Sequence, residues 1–142
     1  MRSLAIFALT ALACVAVTQT MANEPAGKRT PGLWEIAVTI SGQPNANTGQ
    51  YCIDATDDLA KMAGGGAPQS DCAEARTQVS GEDISIESVC KQGNSTVTTK
   101  GALAGSLESA YKGQVVKNYS PPLYGRSEIK STIDARRLGE CK

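Results

Sequence analysis

Two short motifs in the sequence contain residue types that could carry out catalysis. Ser127 and Lys130 have the S-x-x-K spacing of penicillin-recognising enzymes, in which a helix places both side chains on one face. The residues around them alternate as in a strand, where positions 127 and 130 point to opposite faces. Asp57 and Asp58 could form a carboxylate pair, but adjacent residues of a helix do not face each other. We therefore predict no catalytic residue; a hydrolase that uses carboxylates, or Lys and Tyr, is the alternative.

The composition excludes several further kinds of site. The 142 residues include 14 Lys or Arg, 14 Asp or Glu and no His, so the positive and negative charges balance. Without imidazole the chain cannot use Ser-His-Asp or Cys-His catalysis, and it cannot hold zinc or haem through histidine. The balanced charge also argues against binding to nucleic acid, which requires an excess of Lys and Arg. We predict no cofactor, no metal and no nucleic-acid partner.

Residues 1–22 have the pattern of a secretory signal peptide. Arg2 precedes an apolar run over residues 4–17, and Ala22 is the small residue at the cleavage position. The apolar run is shorter than the roughly 20 residues of a membrane-spanning helix. We therefore predict an exported protein that does not span the membrane in its mature form. A lipoprotein anchored at Cys14 is the alternative.

The rest of the chain predicts one β-rich domain after a short leader. Residues 23–30 are polar and contain Pro and Gly, which predicts a flexible leader, and residues 31–142 form a single domain. Within the domain, apolar and polar residues alternate in runs that are typical of strands with one buried face. The predicted strands are residues 33–41, 50–53, 75–80, 84–90, 95–103, 107–116 and 127–138, with a loop at residues 119–125.

A short helix is predicted after the second strand. Asp54 or Thr56 would cap it, Asp57 and Asp58 would lie in its first turn, and the glycines that begin at Gly64 would end it. Together these elements predict a mainly β (α+β) fold. Its architecture would be a single curved antiparallel sheet, or a partly open barrel, of about seven strands with one short helix and two disulfides.

The disulfides are predicted from the cysteines that remain after the signal peptide is removed. These are Cys52, Cys72, Cys90 and Cys141. An even number of cysteines in an exported chain predicts two disulfides, for which three connectivities are possible. The chain contains no C-x-x-C pair, so neither a redox motif nor an all-cysteine zinc site is indicated.

A hairpin argument favours one of the three connectivities. A three-residue turn centred on Gly81 would place Cys72 opposite Cys90, within reach of a disulfide. A competing register shifts the pairing by one residue and needs a bulge to bring these cysteines together. The hairpin therefore favours a bond between Cys72 and Cys90, which leaves Cys52 to bond Cys141.

Several short motifs occur in an order that resembles a known bacterial family. They are Pro31-Gly32-Leu33-Trp34-Glu35, Gln50-Tyr51-Cys52-Ile53, Cys72, Cys90 and Arg137-Leu138-Gly139-Glu140-Cys141. The pattern resembles the domain-of-unknown-function family numbered 3617, small exported proteins and lipoproteins of Gram-negative bacteria. The resemblance covers about residues 31–142 and implies a periplasmic location, but it implies no activity.

Aromatic and basic side chains supply a candidate contact surface. Gly32-Leu33-Trp34 is similar to the G-x-W start of lipocalins, in which a basic residue of the last strand covers the tryptophan; Arg136 or Arg137 would take that place. Tyrosines close to basic residues could also form a rim that binds sugar or lipid. That rim would contain Tyr111, Tyr119 and Tyr124 with Lys112, Lys117 and Arg126. The candidate ligand or contact residues are Trp34, Tyr111, Tyr119, Tyr124, Arg126 and Arg137.

These observations predict a non-catalytic binding or accessory protein of the cell envelope. Its partner would be an envelope protein or a lipid, met through the concave face of the sheet or the loop at residues 121–126. The alternative is a small calycin-like carrier of a hydrophobic ligand, with an apolar pocket beside Trp34.

Overall fold

The computed structural model describes residues 27–65 and 71–142. The predicted signal peptide, its alternative lipidation site Cys14 and the first four residues of the predicted leader lie outside the described residues.

Seven antiparallel strands form one sheet. They are β1 (Gly32–Ile40), β2 (Asn47–Ile53), β3 (Cys72–Ser80), β4 (Asp83–Gln92), β5 (Ser95–Ser106), β6 (Ala110–Leu123) and β7 (Arg126–Gly139). Their order across the sheet is β2-β1-β7-β6-β5-β4-β3. Within the described ranges β2 and β3 each pair with one neighbour, so the sheet is open rather than closed. The predicted mainly β fold of about seven strands, one short helix and two disulfides is confirmed.

The one helix in the described ranges, α1 (Leu59–Gly65), lies on one face of the sheet, which we call the inner face. Since β2 and β3 are the two edge strands, the chain must cross this face between them, and α1 packs against β3, β4 and β5 on the way. A β-carbon at Gly64 would overlap the side chains of Ser88 and Cys90 on β4. Glycine at this position therefore lets the helix lie directly on the strand.

The helix begins later than the sequence predicts. Asp58 is its cap: the carboxylate accepts a hydrogen bond from the Lys61 amide at 3.1 Å, and the Asp58 carbonyl accepts one from the Met62 amide at 2.9 Å. The prediction of Asp54 or Thr56 as the cap is wrong. Asp54 instead closes a preceding turn, because its carboxylate accepts hydrogen bonds from the amide and the hydroxyl of Thr56.

The β3–β4 hairpin reaches its disulfide by the competing register. Ser80 pairs with Asp83, so the turn contains two residues rather than three, and Gly81 takes the positive φ of 63° that such a turn needs. The register then shifts between Cys72 and Glu74, which returns Cys72 to a position opposite Cys90. The structure joins these two cysteines in a disulfide. The bulge therefore corrects the one-residue offset.

The second disulfide joins Cys52 of β2 to Cys141, which follows β7. Both β2 and β7 are neighbours of β1: Cys52 pairs with Leu33, and Leu33 pairs with Gly139. The bond therefore crosses the start of β1 and ties an edge strand to the C-terminal end of the chain.

The loop predicted at residues 119–125 is mostly strand. β6 continues to Leu123, and only Tyr124 and Gly125 form the turn into β7. Both turn residues have positive φ, 50° and 76°, as a two-residue hairpin turn of the I′ type requires. Pro121 and Pro122 cannot donate ladder hydrogen bonds, and the β6–β7 register is irregular where they lie.

The core lies between α1 and the inner face. Apolar side chains alternate along each strand so that one set lies on the inner face, as for Trp34 of β1, Ile84 and Ile86 of β4, and Ala135 of β7. Trp34 is completely buried, and its ring centroid lies 5.8 Å from that of Tyr111 on β6. The opposite face of the sheet, the outer face, carries polar and charged residues such as Glu87, Lys112 and Lys130.

Candidate functional site

A buried ion pair closes one end of the inner face. The Arg29 guanidinium donates two hydrogen bonds to the Asp57 carboxylate, at 2.8 Å from Nε and 2.6 Å from one Nη. The two side chains are 1% and 3% exposed. Two parallel bonds of this kind fix the guanidinium plane as well as neutralise its charge.

Arg29 also joins this ion pair to the aromatic residues of the core. Its other terminal nitrogen donates to the Tyr111 hydroxyl at 3.2 Å, and its guanidinium carbon lies 6.0 Å from the centre of the Trp34 ring. Burial lowers the pKa of Arg29, but the hydrogen bond and charge of Asp57, with the Tyr111 hydroxyl, outweigh burial and raise it overall. Arg29 therefore stays protonated and charged although it is buried.

The cation over Trp34 is thus Arg29, and the prediction of Arg136 or Arg137 at that place is wrong. Arg136 forms an ion pair with Glu35 at 2.7 Å. Arg137 donates to the carbonyl of Pro31 at 2.8 Å and pairs with Glu140. Both arginines therefore hold the ends of β1 and β7 together instead of covering the indole ring.

The segment before β1 differs from the flexible leader expected there. Arg29 is buried, and the Thr30 amide donates to the Leu107 carbonyl at 2.9 Å. The Trp34 indole nitrogen donates to the Thr30 carbonyl at 2.9 Å. Residues 27–30 are therefore packed against the end of the sheet. The sequence showed no sign of this because the contacts with Asp57 and Leu107 join residues distant in the chain.

A cleft runs along the inner face beside α1. Its volume is about 280 Å³, and it is lined mainly by apolar side chains of β1, β6, β7 and α1. The central ones are Ile36, Val38, Met62, Val115 and Ile133. Tyr111 lies at one end, where it meets Arg29, and Lys117 lies six residues further along β6, about 20 Å away at the usual rise of a strand.

Lys117 is the unusual residue of this cleft. It lies on the inner face together with Tyr111 and Val115, and it is partly buried. Burial lowers the pKa of Lys117 below its ordinary value. In the described part of the chain no carboxylate forms an ion pair with it.

The row of residues across the sheet from Lys117 is also polar. Lys117 pairs with Thr99 of β5, and Thr99 pairs with Ser88 of β4. The Thr99 and Ser88 side chains are buried, at 0% and 2% exposed, and their hydroxyl oxygens have no hydrogen-bond partner among residues 27–65 and 71–142. Buried hydroxyls are normally paired, so this row has unused hydrogen-bonding capacity beside an unpaired amine.

The unpaired amine has a consequence for stability. Because its pKa is lowered in the folded protein, the folded state binds the Lys117 proton less tightly than the unfolded chain does, and the charge opposes folding at neutral pH. Lys117→Met is therefore expected to raise the free energy of unfolding by up to about 1 kcal/mol, because the amine is only partly removed from water and bears less than the full cost of an unpaired buried polar group. Urea denaturation at neutral pH measures the gain.

The pH dependence of that gain in stability shows whether it comes from removal of the charge or from better packing of the methionine side chain. Between the lowered pKa of folded Lys117 and the ordinary pKa of lysine, the native protein becomes more stable as the pH rises, so the advantage of Lys117→Met shrinks. Lys112→Met is the matched control, since Lys112 lies exposed on the outer face of the same strand. That control is expected to change stability by less than about 0.5 kcal/mol. An advantage of Lys117→Met that persists unchanged at alkaline pH would contradict the charge explanation.

The structure does not bring the predicted tyrosine rim together. Tyr111 and Tyr119 are buried on the inner face, eight residues apart on β6, whereas Tyr124 is 95% exposed at the β6–β7 turn. Arg126 is exposed next to that turn, and Arg137 lies at the opposite end of β7. Of the predicted rim, Tyr111 and Lys117 line the cleft, and Trp34 lies behind Tyr111 in the core.

Two further classes of site are not found in the described ranges. No group of three or more His, Cys, Asp or Glu side chains in residues 27–65 and 71–142 could hold a metal ion. The same residues contain no helix with the length and apolar character that a membrane crossing needs.

Comparison with known proteins gives one match. A family model described as a protein of unknown function, DUF3617, matches residues 29–141, which include Arg29, Lys117 and all four cysteines of the two disulfides. No curated protein and no solved structure matches the chain.

Proposed function

We propose that this chain, which belongs to the DUF3617 family of proteins of unknown function, binds a small, largely apolar ligand in the cleft beside α1. The protein acts without catalysis, as a binding protein of the cell envelope. The single observation that carries this proposal is the apolar lining of a cleft that the fold leaves open.

The cleft exists because α1 is too short to cover the whole sheet. The helix packs on β3, β4 and β5, so the inner faces of β1 and β7 have no helix above them. Ile36, Val38 and Ile133 are consequently only partly buried although they point to the same side as the core. A volume of about 280 Å³ is close to the lower limit of small-molecule pockets, which run from roughly 300 to 1,000 Å³.

The same proposal places the protein in the periplasm. Its support is the signal-peptide pattern of residues 1–22 and the two disulfides, which persist in oxidising compartments and are rare in the cytosol. A periplasmic protein with an apolar cleft is suited to hold molecules that are poorly soluble in water.

A neutral fluorescent probe tests the apolar cleft without involving any charge. N-phenyl-1-naphthylamine is expected to bind the purified protein with increased fluorescence. Ile133→Trp fills the cleft from β7 and is expected to weaken the probe's affinity at least tenfold, or by about 1.4 kcal/mol. Fluorescence titration gives both dissociation constants.

Thr132→Trp is the matched control, because Thr132 is the preceding residue of β7 and is exposed on the outer face. It is expected to leave the affinity unchanged. The proposal fails if the wild-type protein does not bind the probe, or if both tryptophan variants bind it as the wild type does.

A further inference from the structure

The charged side chains of the cleft indicate which class of apolar ligand it binds. Two cationic side chains line it, Arg29 and Lys117, and no carboxylate is among its lining residues in the described ranges. Asp57 neutralises Arg29 through two hydrogen bonds. Among residues 27–65 and 71–142 Lys117 has no such counter-ion, so the charged groups of the cleft that the structure describes carry one net positive charge.

We propose that the ligand is a carboxylate with an apolar body, and that the Lys117 amine pairs with its carboxylate group while Ile36, Val38 and Ile133 hold the body. This inference deepens the proposed function and rests on it. Charge complementarity carries it: a cation without a described counter-ion, at one end of a mainly apolar cleft, is matched by a molecule that is apolar along its length and anionic at one end.

The position of Lys117 fits this arrangement. It lies at the end of the cleft remote from the Arg29–Asp57 pair, so the whole apolar stretch along β6 separates the neutralised charge from the unpaired one. Thr99 lies beside it in the sheet, and its hydroxyl group has no hydrogen-bond partner in the part of the chain that the structure describes. A carboxylate at this place would accept from the amine, and the neighbouring hydroxyl is a second donor at the same level of the sheet.

An ion pair formed here is stronger than one on the surface. The amine is already partly removed from water, so the ligand's carboxylate meets less competition from solvent than it would beside an exposed lysine. Hydrogen bonds between charged groups are about twice as strong as neutral ones. We expect the negative charge to improve binding at least tenfold.

Two probes with the same tail separate charge from apolar contact. Octanoate and 1-octanol are titrated into the full mature protein, and the methyl signals of Ile133 and Val115 are followed by NMR. Octanoate is expected to bind at least tenfold more tightly than 1-octanol. Lys117→Met is expected to abolish this preference, and Lys117→Arg to restore most of it.

Lys112→Met is the matched control and is expected to keep the preference for octanoate, because Lys112 lies on the outer face of the same strand. If 1-octanol and octanoate bind equally to the wild type, or if Lys117→Met keeps the preference, the assignment of Lys117 is wrong while the apolar cleft stands. If neither probe shifts the cleft methyl signals, the proposed function and this inference are both wrong.

Discussion

Asp57→Ala is expected to lower the free energy of unfolding by about 3–5 kcal/mol, as is typical when one partner of a buried ion pair is removed. Alanine at this position leaves the Arg29 guanidinium buried without its counter-ion. The Tyr111 hydroxyl still accepts a hydrogen bond from Arg29, but a neutral oxygen does not balance the charge. Urea denaturation followed by the fluorescence of Trp34, the single tryptophan of the chain, measures the loss.

Two further variants identify the buried charge as the cause. Glu87→Ala breaks an exposed ion pair with Arg76, at 3.1 Å, and is expected to cost no more than about 1 kcal/mol. The double variant Arg29→Met with Asp57→Leu removes both buried charges and is expected to recover most of the stability lost in Asp57→Ala. The ion pair does not have the role assigned to it if Asp57→Ala costs no more than Glu87→Ala does.

Removal of the disulfide between Cys52 and Cys141 is expected to lower the free energy of unfolding by about as much as Asp57→Ala does. The two cysteines are 89 residues apart, so the bond closes most of the domain into one loop in the unfolded chain. On the chain-entropy estimate, loss of a loop of this length costs about 4.5 kcal/mol. The double variant Cys52→Ser with Cys141→Ser tests this by urea denaturation of the oxidised protein.

The other disulfide provides the comparison. Cys72 and Cys90 are 18 residues apart, and the same estimate gives about 3 kcal/mol for their double serine variant. Loss of the bond between Cys52 and Cys141 should therefore lower the free energy of unfolding more than loss of the bond between Cys72 and Cys90, by about 1 to 2 kcal/mol. An equal or reversed order would show that local contacts, and not the unfolded chain, dominate the contribution of these bonds.

The sequence predicts the half-buried strands well because their pattern is local. In β1 every second residue from Trp34 to Ile40 is apolar, and between positions 129 and 135 of β7 most residues of one face are. The structure places Trp34 and Ile36 of β1 and Ile133 and Ala135 of β7 on the inner face. A period of two residues follows directly from the pleat of a strand. Fold class and the burial of one face could therefore be derived without knowledge of any long-range contact.

The candidate site is less predictable because long-range contacts create it. Arg29 and Asp57 are 28 residues apart, in segments that the sequence assigns to a leader and to the first turn of a helix. Their pairing follows from the crossing of the chain over the inner face, which no local pattern encodes. Asp57 also lies before α1 rather than within it, since the cap is Asp58.

Lys117 belongs to the rim predicted from the sequence, but its burial on the inner face could have been predicted only if the strand had been extended. The predicted strand stops at residue 116, whereas β6 continues to Leu123. Along β6 the odd-numbered residues Tyr111, Val115 and Tyr119 are buried, and Lys117 occupies the same face between the last two. A lysine in phase with an apolar strand face is the sign that was missed, because two prolines indicated a loop.

Each of the two edge strands has a covalent attachment to the rest of the sheet: β2 through Cys52 and Cys141, and β3 through Cys72 and Cys90. An edge strand offers unpaired amide and carbonyl groups to any other extended chain, which is a common route to aggregation. Here each disulfide adds a covalent link that opposes separation of its edge strand from the sheet. Reducing conditions would remove both links together, so resistance to strand exchange is expected to depend on the redox state of the surroundings.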